Sequence, residues 1–122
     1  MTITIYHYQG CSTCKKALKW LDTHGVAHQR IDIVVSPPTQ ADLAKALTQG
    51  GLPLRSLFNT SGQSYRDGNF KERLPKLSEA EALAALASDG KLIKRPLVLS
   101  DKVALAGFNE AAWTKALHAA PA

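Results

Sequence analysis

At 122 residues, with 45% hydrophobic and 20% charged side chains, the sequence has the composition of one ordinary globular domain. Its apolar runs are only a few residues long, far short of the ~20 that a membrane-spanning helix needs. No basic leader precedes an apolar block at Met1 to His7, so the expectation is a soluble, cytoplasmic protein with no membrane association. Fifteen Lys and Arg against ten Asp and Glu give a net charge of +5, but the cations are scattered and form no run that would mark direct nucleic-acid binding.

Thr2 to Tyr6 alternates polar and apolar residues and predicts a strand with Ile3 and Ile5 on one face. Gly10 ends it. From Ser12 to His24, the residues Cys14, Ala17, Leu18 and Leu21 fall on one stripe of an amphipathic helix, and Gly25 suits the position just past its end. His28 to Val35, β-branched at its close, reads as a second strand and completes a βαβ unit. Ser36-Pro37-Pro38 breaks the chain, and Thr39 with Asp42 three residues later marks a helix start with Leu43 and Leu47 as the buried side. Short helices and loops are expected from Leu52 to Leu77. Ser78 to Glu81 fits a capping box for a helix that Gly90 stops. Pro96 to Leu99 and Val103 to Leu105 predict a hairpin, and Asn109 can cap a last helix with Trp113, Ala116 and Leu117 facing inward; residues 119–122 should fray.

The chain has only two cysteines, Cys11 and Cys14, and a bond between them would close too small a ring to stabilise the fold. Redox chemistry is the better reason for the pair. The pair sits where strand becomes helix, which places Cys11 at the cap and Cys14 about one turn inside. Unpaired backbone N–H groups and the helix dipole stabilise an anion at a cap, and thiolate is the nucleophilic form of cysteine. A thiol with a pKa of ~8.5 is only ~3% ionised at pH 7, whereas one lowered to ~6 is about 90% ionised. Residues three apart on a helix lie roughly 5–6 Å apart, within disulfide reach, so Cys14 can resolve what Cys11 starts. Lys15 and Lys16 occupy the first turn, where acids are usual, with Lys19 a turn on; they read as cations that tune the thiol or meet an anionic substrate. The alternatives are two small core residues, or half a zinc site completed by two of His7, His24 and His28. The histidines offer no recognisable ligand spacing, so no metal is expected and they are assigned to the surface.

Ile5-Tyr6-His7 leading to Cys11, Pro37-Pro38-Thr39, Leu57-Phe58-Asn59-Thr60 and Leu92 to Val98 together resemble the arsenate-reductase-like (ArsC/Spx/MgsR) branch of the thioredoxin/glutaredoxin-like superfamily. The resemblance implies an α/β thioredoxin-like fold: one domain over residues 1–122, with a small mixed four-stranded sheet, flanking helices and a helical insertion over 39–90. It assigns Arg95 to holding a substrate anion and implies a cis Pro96 that shapes the site. Ser12, Thr13, Lys15 and Asn59 then line the substrate. Arsenate reductases of this branch hold the oxyanion with three arginines and use one cysteine in the first motif. Here only Arg95 matches, and the other two positions fall on Asn59 and Gly107. Each lost charge-assisted hydrogen bond costs ~1.5–3 kcal/mol, which argues against efficient arsenate reduction.

The implied function is a monomeric thiol–disulfide oxidoreductase with no bound cofactor. Cys11 attacks arsenate or a small oxidised thiol, Cys14 resolves, and glutathione with glutaredoxin, or thioredoxin, is the reductant. The alternative is a redox-sensing regulator of the Spx type that docks on the α subunit of RNA polymerase. A third reading is a relative that binds small anions without turnover.

Overall fold

Alternating side chains in Ile3–His7 form strand β1, with Ile3 and Ile5 buried on one face and Tyr6 on the other. The computed structural model describes residues 3–101 and 103–117, so the fraying expected at 119–122 lies outside the described residues. Helix α1 (Ser12–Thr23) carries the chain from β1 to β2 (His28–Asp32), which pairs with β1 in parallel from Ile3 opposite His28 to His7 opposite Asp32. Strand β3 (Leu97–Leu99) runs antiparallel on the other side of β1, and β4 (Ala104–Ala106) closes a hairpin with it. The sheet order is β2-β1-β3-β4, the mixed four-stranded sheet the resemblance implies.

Between β2 and β3 the chain is helical. It forms α2 (Gln40–Thr48), a 3-10 turn at Leu54–Leu57, α3 (Gln63–Asp67), α4 (Phe70–Arg73), a 3-10 turn at Leu74–Lys76 and α5 (Glu79–Ser88). Thr39 and Ser78 each accept the N–H of the residue three ahead while Asp42 and Glu81 reach back, so α2 and α5 both start in capping boxes. Each cap is worth about 1 kcal/mol. Asn109 caps the last helix, α6 (Glu110–Ala116), by accepting from the Ala112 N–H.

Each face of the sheet carries its own apolar layer. Ile3, Ile5 and Val98 pack with Ala17, Trp20 and Leu21 of α1 and with Trp113 of α6, whose ring stands edge-on to Trp20 at 5.7 Å. Tyr6, Leu97 and Ala104 face the helical insertion, where Leu43, Leu57, Phe58, Leu83 and Leu86 are buried. Each such side chain contributes roughly 1.5–3 kcal/mol of burial. Among the described residues, no helix is long and apolar enough to cross a membrane.

Three local expectations are corrected. The second strand stops at Asp32 and not at Val35, because the Asp32 carboxylate accepts the N–H groups of Val34 (2.8 Å) and Val35 (3.2 Å). That side-chain turn takes the backbone off the ladder and leaves Val34 and Val35 exposed. On α1 and α2 the buried positions include Trp20 and Ala46, while Leu18 and Leu47 are only half-buried. Two of the histidines are not surface decoration: His24 stacks on Trp20 at 4.2 Å, and the His28 side chain, 9% exposed, lies 2.7 Å from the Val26 carbonyl.

Candidate active site

Strand direction brings the site together. Because β3 runs antiparallel to β1, Tyr6 at the outgoing end of β1 lies opposite Leu97 at the start of β3. The turn after β1, carrying Tyr8 to Cys11, therefore emerges beside Arg95 and Pro96, which lead into β3.

Cys11 is the cap of α1. Its backbone is extended (φ −97°, ψ 113°), and its sulfur accepts the Cys14 N–H at 3.4 Å, the place an Asp or Ser oxygen takes in most helices. The Cys11 N–H is held by the Tyr8 carbonyl at 3.1 Å. Cys11 is half-buried, whereas Cys14 is 1% exposed, and both are free thiols.

The two thiols are electrically unequal. Partial burial pushes Cys11 up, but the Cys14 thiol and N–H, the Arg95 charge and the Thr13 N–H outweigh it and hold Cys11 below the ordinary thiol range. Burial pushes Cys14 up to about 12, reinforced by Cys11 as its hydrogen-bond partner and only partly opposed by the Tyr8 backbone. One thiol therefore ionises more readily than an ordinary cysteine and is the better placed nucleophile. The other stays a protonated reserve.

Arg95 is joined to Pro96 by a cis peptide bond, and its guanidinium lies over the Tyr8 ring, 5.0 Å from the centroid. Among the described residues no carboxylate pairs with it, so its donors remain available to an anion. Asn59 sits on the neighbouring segment: its N–H donates to the Leu92 carbonyl at 2.8 Å, and Lys94 donates back to Leu57 at 2.7 Å. Phe58 and Ile93 pair between them. Gly107, with φ +77°, donates its N–H to the Pro96 carbonyl at 2.9 Å.

The geometry therefore gathers Cys11, Cys14, Arg95 and Pro96 at one end of the sheet, with Asn59 one paired segment away. Ser12, Thr13 and Lys15 are exposed on the first turns of α1, and Thr13 reaches Cys11 through its backbone N–H. Lys15 and Lys16 do not tune the thiol as expected. They point into solvent, where water screens them, while the half-buried Arg95 acts on the sulfur. The residue that sequence reasoning missed is Tyr8, which holds Arg95 with its ring and Cys11 with its carbonyl. Gly10 was its signal: a Cβ there would stand 3.1 Å from the Tyr8 ring. Among the described residues no three His, Cys, Asp or Glu side chains gather as metal ligands.

The ArsC family model matches residues 6–116. The uncharacterized protein YusI of Bacillus subtilis is 46% identical over 110 residues, spanning 90% of this chain and 93% of that relative. An ArsC-family-related protein from Bacteroides fragilis has a crystal structure that superposes with a TM-score of 0.89 at 39% identity, covering 94% of this chain and 97% of its own. The global transcriptional regulator Spx of Streptococcus mutans is 26% identical over 108 residues, 88% of this chain and 77% of that relative.

Proposed function

The chain belongs to the ArsC family, with its thioredoxin-like fold, and on that premise we propose that it is a dithiol oxidoreductase that reduces disulfides. The observation that carries this reading is the Cys14 N–H on the Cys11 sulfur at 3.4 Å, which joins an accessible, acidified thiol to a buried, basic one across a single helical turn. Cys11 thiolate attacks one sulfur of a substrate disulfide; a Cys11–substrate bond forms, the S–S bond breaks, and the leaving thiolate takes a proton from solvent. Cys14 then gives up its proton and attacks the Cys11 sulfur, releasing the second substrate thiol and forming Cys11–Cys14. The substrate gains two electrons from the protein and two protons, one from solvent and one given up by Cys14. Glutathione with glutaredoxin, or thioredoxin, restores the dithiol by the same exchange in reverse.

Arg95 attracts and orients the anionic partner, and the first turn of α1 presents Ser12, Thr13 and Lys15 to it. With Asn59 and Gly107 where a three-arginine oxyanion site would carry cations, disulfide sulfur suits this centre better than arsenate. Replacing Cys14 by Ser and incubating with lysate tests the reading by intact mass. A Cys11 mixed disulfide that wild-type protein does not accumulate supports it, and an unmodified Cys11 overturns it.

The kinship with Spx supports a second reading, a redox-sensing regulator that binds the RNA polymerase α subunit. It predicts retention of polymerase on the immobilised protein in one redox state. Equal absence of polymerase from reduced and oxidised protein counts against it.

A further inference from the structure

From Lys94, the residue before Arg95, the surface opens into three clefts that share lining residues. The first, of about 440 Å³, is lined by Arg55, Ser56, Phe58, Thr60, Lys94 and Ala106. It shares Thr60 with a second of about 280 Å³ that holds Arg66 and Lys71, and Arg55 with a third of about 290 Å³ over Leu54, Leu74 and Pro75. Four cations line this groove, and no Asp or Glu does. Two acids lie at its edge, where Asp67 accepts from Gln63 and Glu72 from Asn69. Among the described residues, none of the four cations has a carboxylate within ion-pair distance, and Arg66 bonds only to the neutral groups of Ser61 and Gln63. The Lys94 side chain lies across Gly107, its Cε 3.2 Å from where a Cβ would stand, so the bare glycine makes room for it.

The geometry points to this groove as a docking surface for an acidic segment of the polypeptide whose disulfide Cys11 reduces. The inference rests on the redox reading above and adds the substrate class. Lys94 directly precedes Arg95, so the groove borders the segment that carries the guanidinium of the active site. Four cations across three joined clefts exceed what a small thiol with one or two carboxylates engages. Nucleic acid is the less suitable polyanion. Single strands need open aromatic faces, and Phe58 and Tyr65 are buried at 2% and 7% exposure, packed with Phe70. The floor of Leu54, Leu74 and Pro75 suits apolar side chains interspersed among Asp and Glu.

The test compares two peptides with the same internal disulfide, one flanked by Asp and Glu and the other by Lys. Wild-type protein is expected to reduce the acidic peptide about tenfold faster, an advantage that salt erodes. The double substitution Arg55→Gln/Lys94→Gln should bring the ratio close to one, while Lys45→Gln, on a different cleft, preserves it. A wild-type ratio near one, or one unchanged in the double variant, overturns the groove. If wild-type protein reduces neither peptide, the redox reading fails. The groove is then judged by fluorescence anisotropy with a cysteine-free acidic peptide: about tenfold weaker binding to the double variant supports it, and equal binding overturns it. Tighter binding of a single-stranded oligonucleotide of equal charge overturns the assignment to polypeptide.

Discussion

The Arg95 guanidinium rests on the Tyr8 ring, 5.0 Å from its centroid, and the same Tyr8 holds the Cys11 N–H through its carbonyl. The cation that acidifies the thiol is thus placed by a residue that also shapes the thiol's own turn. A cation–π contact of this exposure is worth about 0.5–1 kcal/mol, and Phe supplies the same face as Tyr. We expect Tyr8→Leu to loosen Arg95, raise the Cys11 pKa and slow iodoacetamide alkylation at slightly acid pH about two- to fivefold, with Tyr8→Phe close to wild type. Thiolate ultraviolet absorbance against pH checks this. An unchanged titration in Tyr8→Leu would remove Tyr8 from the site.

The unequal thiols make opposite predictions about pH. Cys11 is held below its unfolded value, so its thiolate favours the folded state once pH is above that value, and this contribution fades as pH falls through the lowered pKa. Cys14 is raised to about 12, so above roughly pH 9 the unfolded chain releases a proton that the folded chain keeps, and stability declines as pH climbs toward 12. Cys14→Ala should flatten that alkaline decline in urea unfolding midpoints, and Cys11→Ala should lessen it only in part, since burial is the larger cause. Arg95→Ala should raise the Cys11 pKa and shift the alkylation profile to higher pH. Equal alkaline slopes in wild-type and Cys14→Ala protein would contradict the buried, protonated assignment of Cys14.

Much of this was legible in the sequence because it is written in local rules. Ile3 and Ile5 alternate, Thr39 with Asp42 and Ser78 with Glu81 spell capping boxes, and Cys11 follows a strand at the distance a helix cap requires. What escaped depends on contacts distant in sequence or on competing side chains. Tyr8 matters only because β3 returns antiparallel and delivers Arg95 onto its ring. Asp32 ends β2 by hydrogen-bonding ahead of itself, against the β-branched preference of Ile33, Val34 and Val35. Trp20 joins the buried side of α1 through the rings of Trp113 and Phe108, both distant in sequence. Lys15 and Lys16 misled because charge in sequence carries no information about solvent screening.

The family resemblance puts an oxyanion-binding arginine at the position of Asn59, whose backbone is fixed beside Leu92. We expect wild-type protein to bind arsenate weakly and Asn59→Arg to tighten it about tenfold or more, since one charge-assisted pair is worth ~1.5–3 kcal/mol. Gly107→Arg should not help. Its φ of +77° disfavours a side chain, and Lys94 already occupies the space beside it. Calorimetric titration with arsenate compares the three proteins. Asn59→Arg binding no better than wild type would show that position 59 does not face the anion.

Gly90 offers the last prediction, because it ties the helical insertion to the sheet end that carries the site. It is buried, and a Cβ there would collide with the Ile33 backbone carbonyl, whose own N–H is anchored to His7 at 2.9 Å. Backbone cannot give way as a side-chain tip can, so Gly90→Ala should cost about 3 kcal/mol, the upper end of overpacking penalties. The shift should propagate along Gly90–Leu92 to Ile93, whose pairing with Phe58 positions the strand leading to Arg95. Gly25 is the control: it has φ +64° but nothing within 4 Å of a Cβ, so Gly25→Ala meets only the left-handed backbone penalty of about 1–2 kcal/mol. Urea unfolding of both variants, with Cys11 titration on the folded protein, checks the pair. Gly90→Ala should lose more stability and raise the Cys11 pKa, while Gly25→Ala leaves the thiol unmoved. Equal losses, with no change at Cys11 in either, would mean that the insertion and the active thiol are mechanically independent.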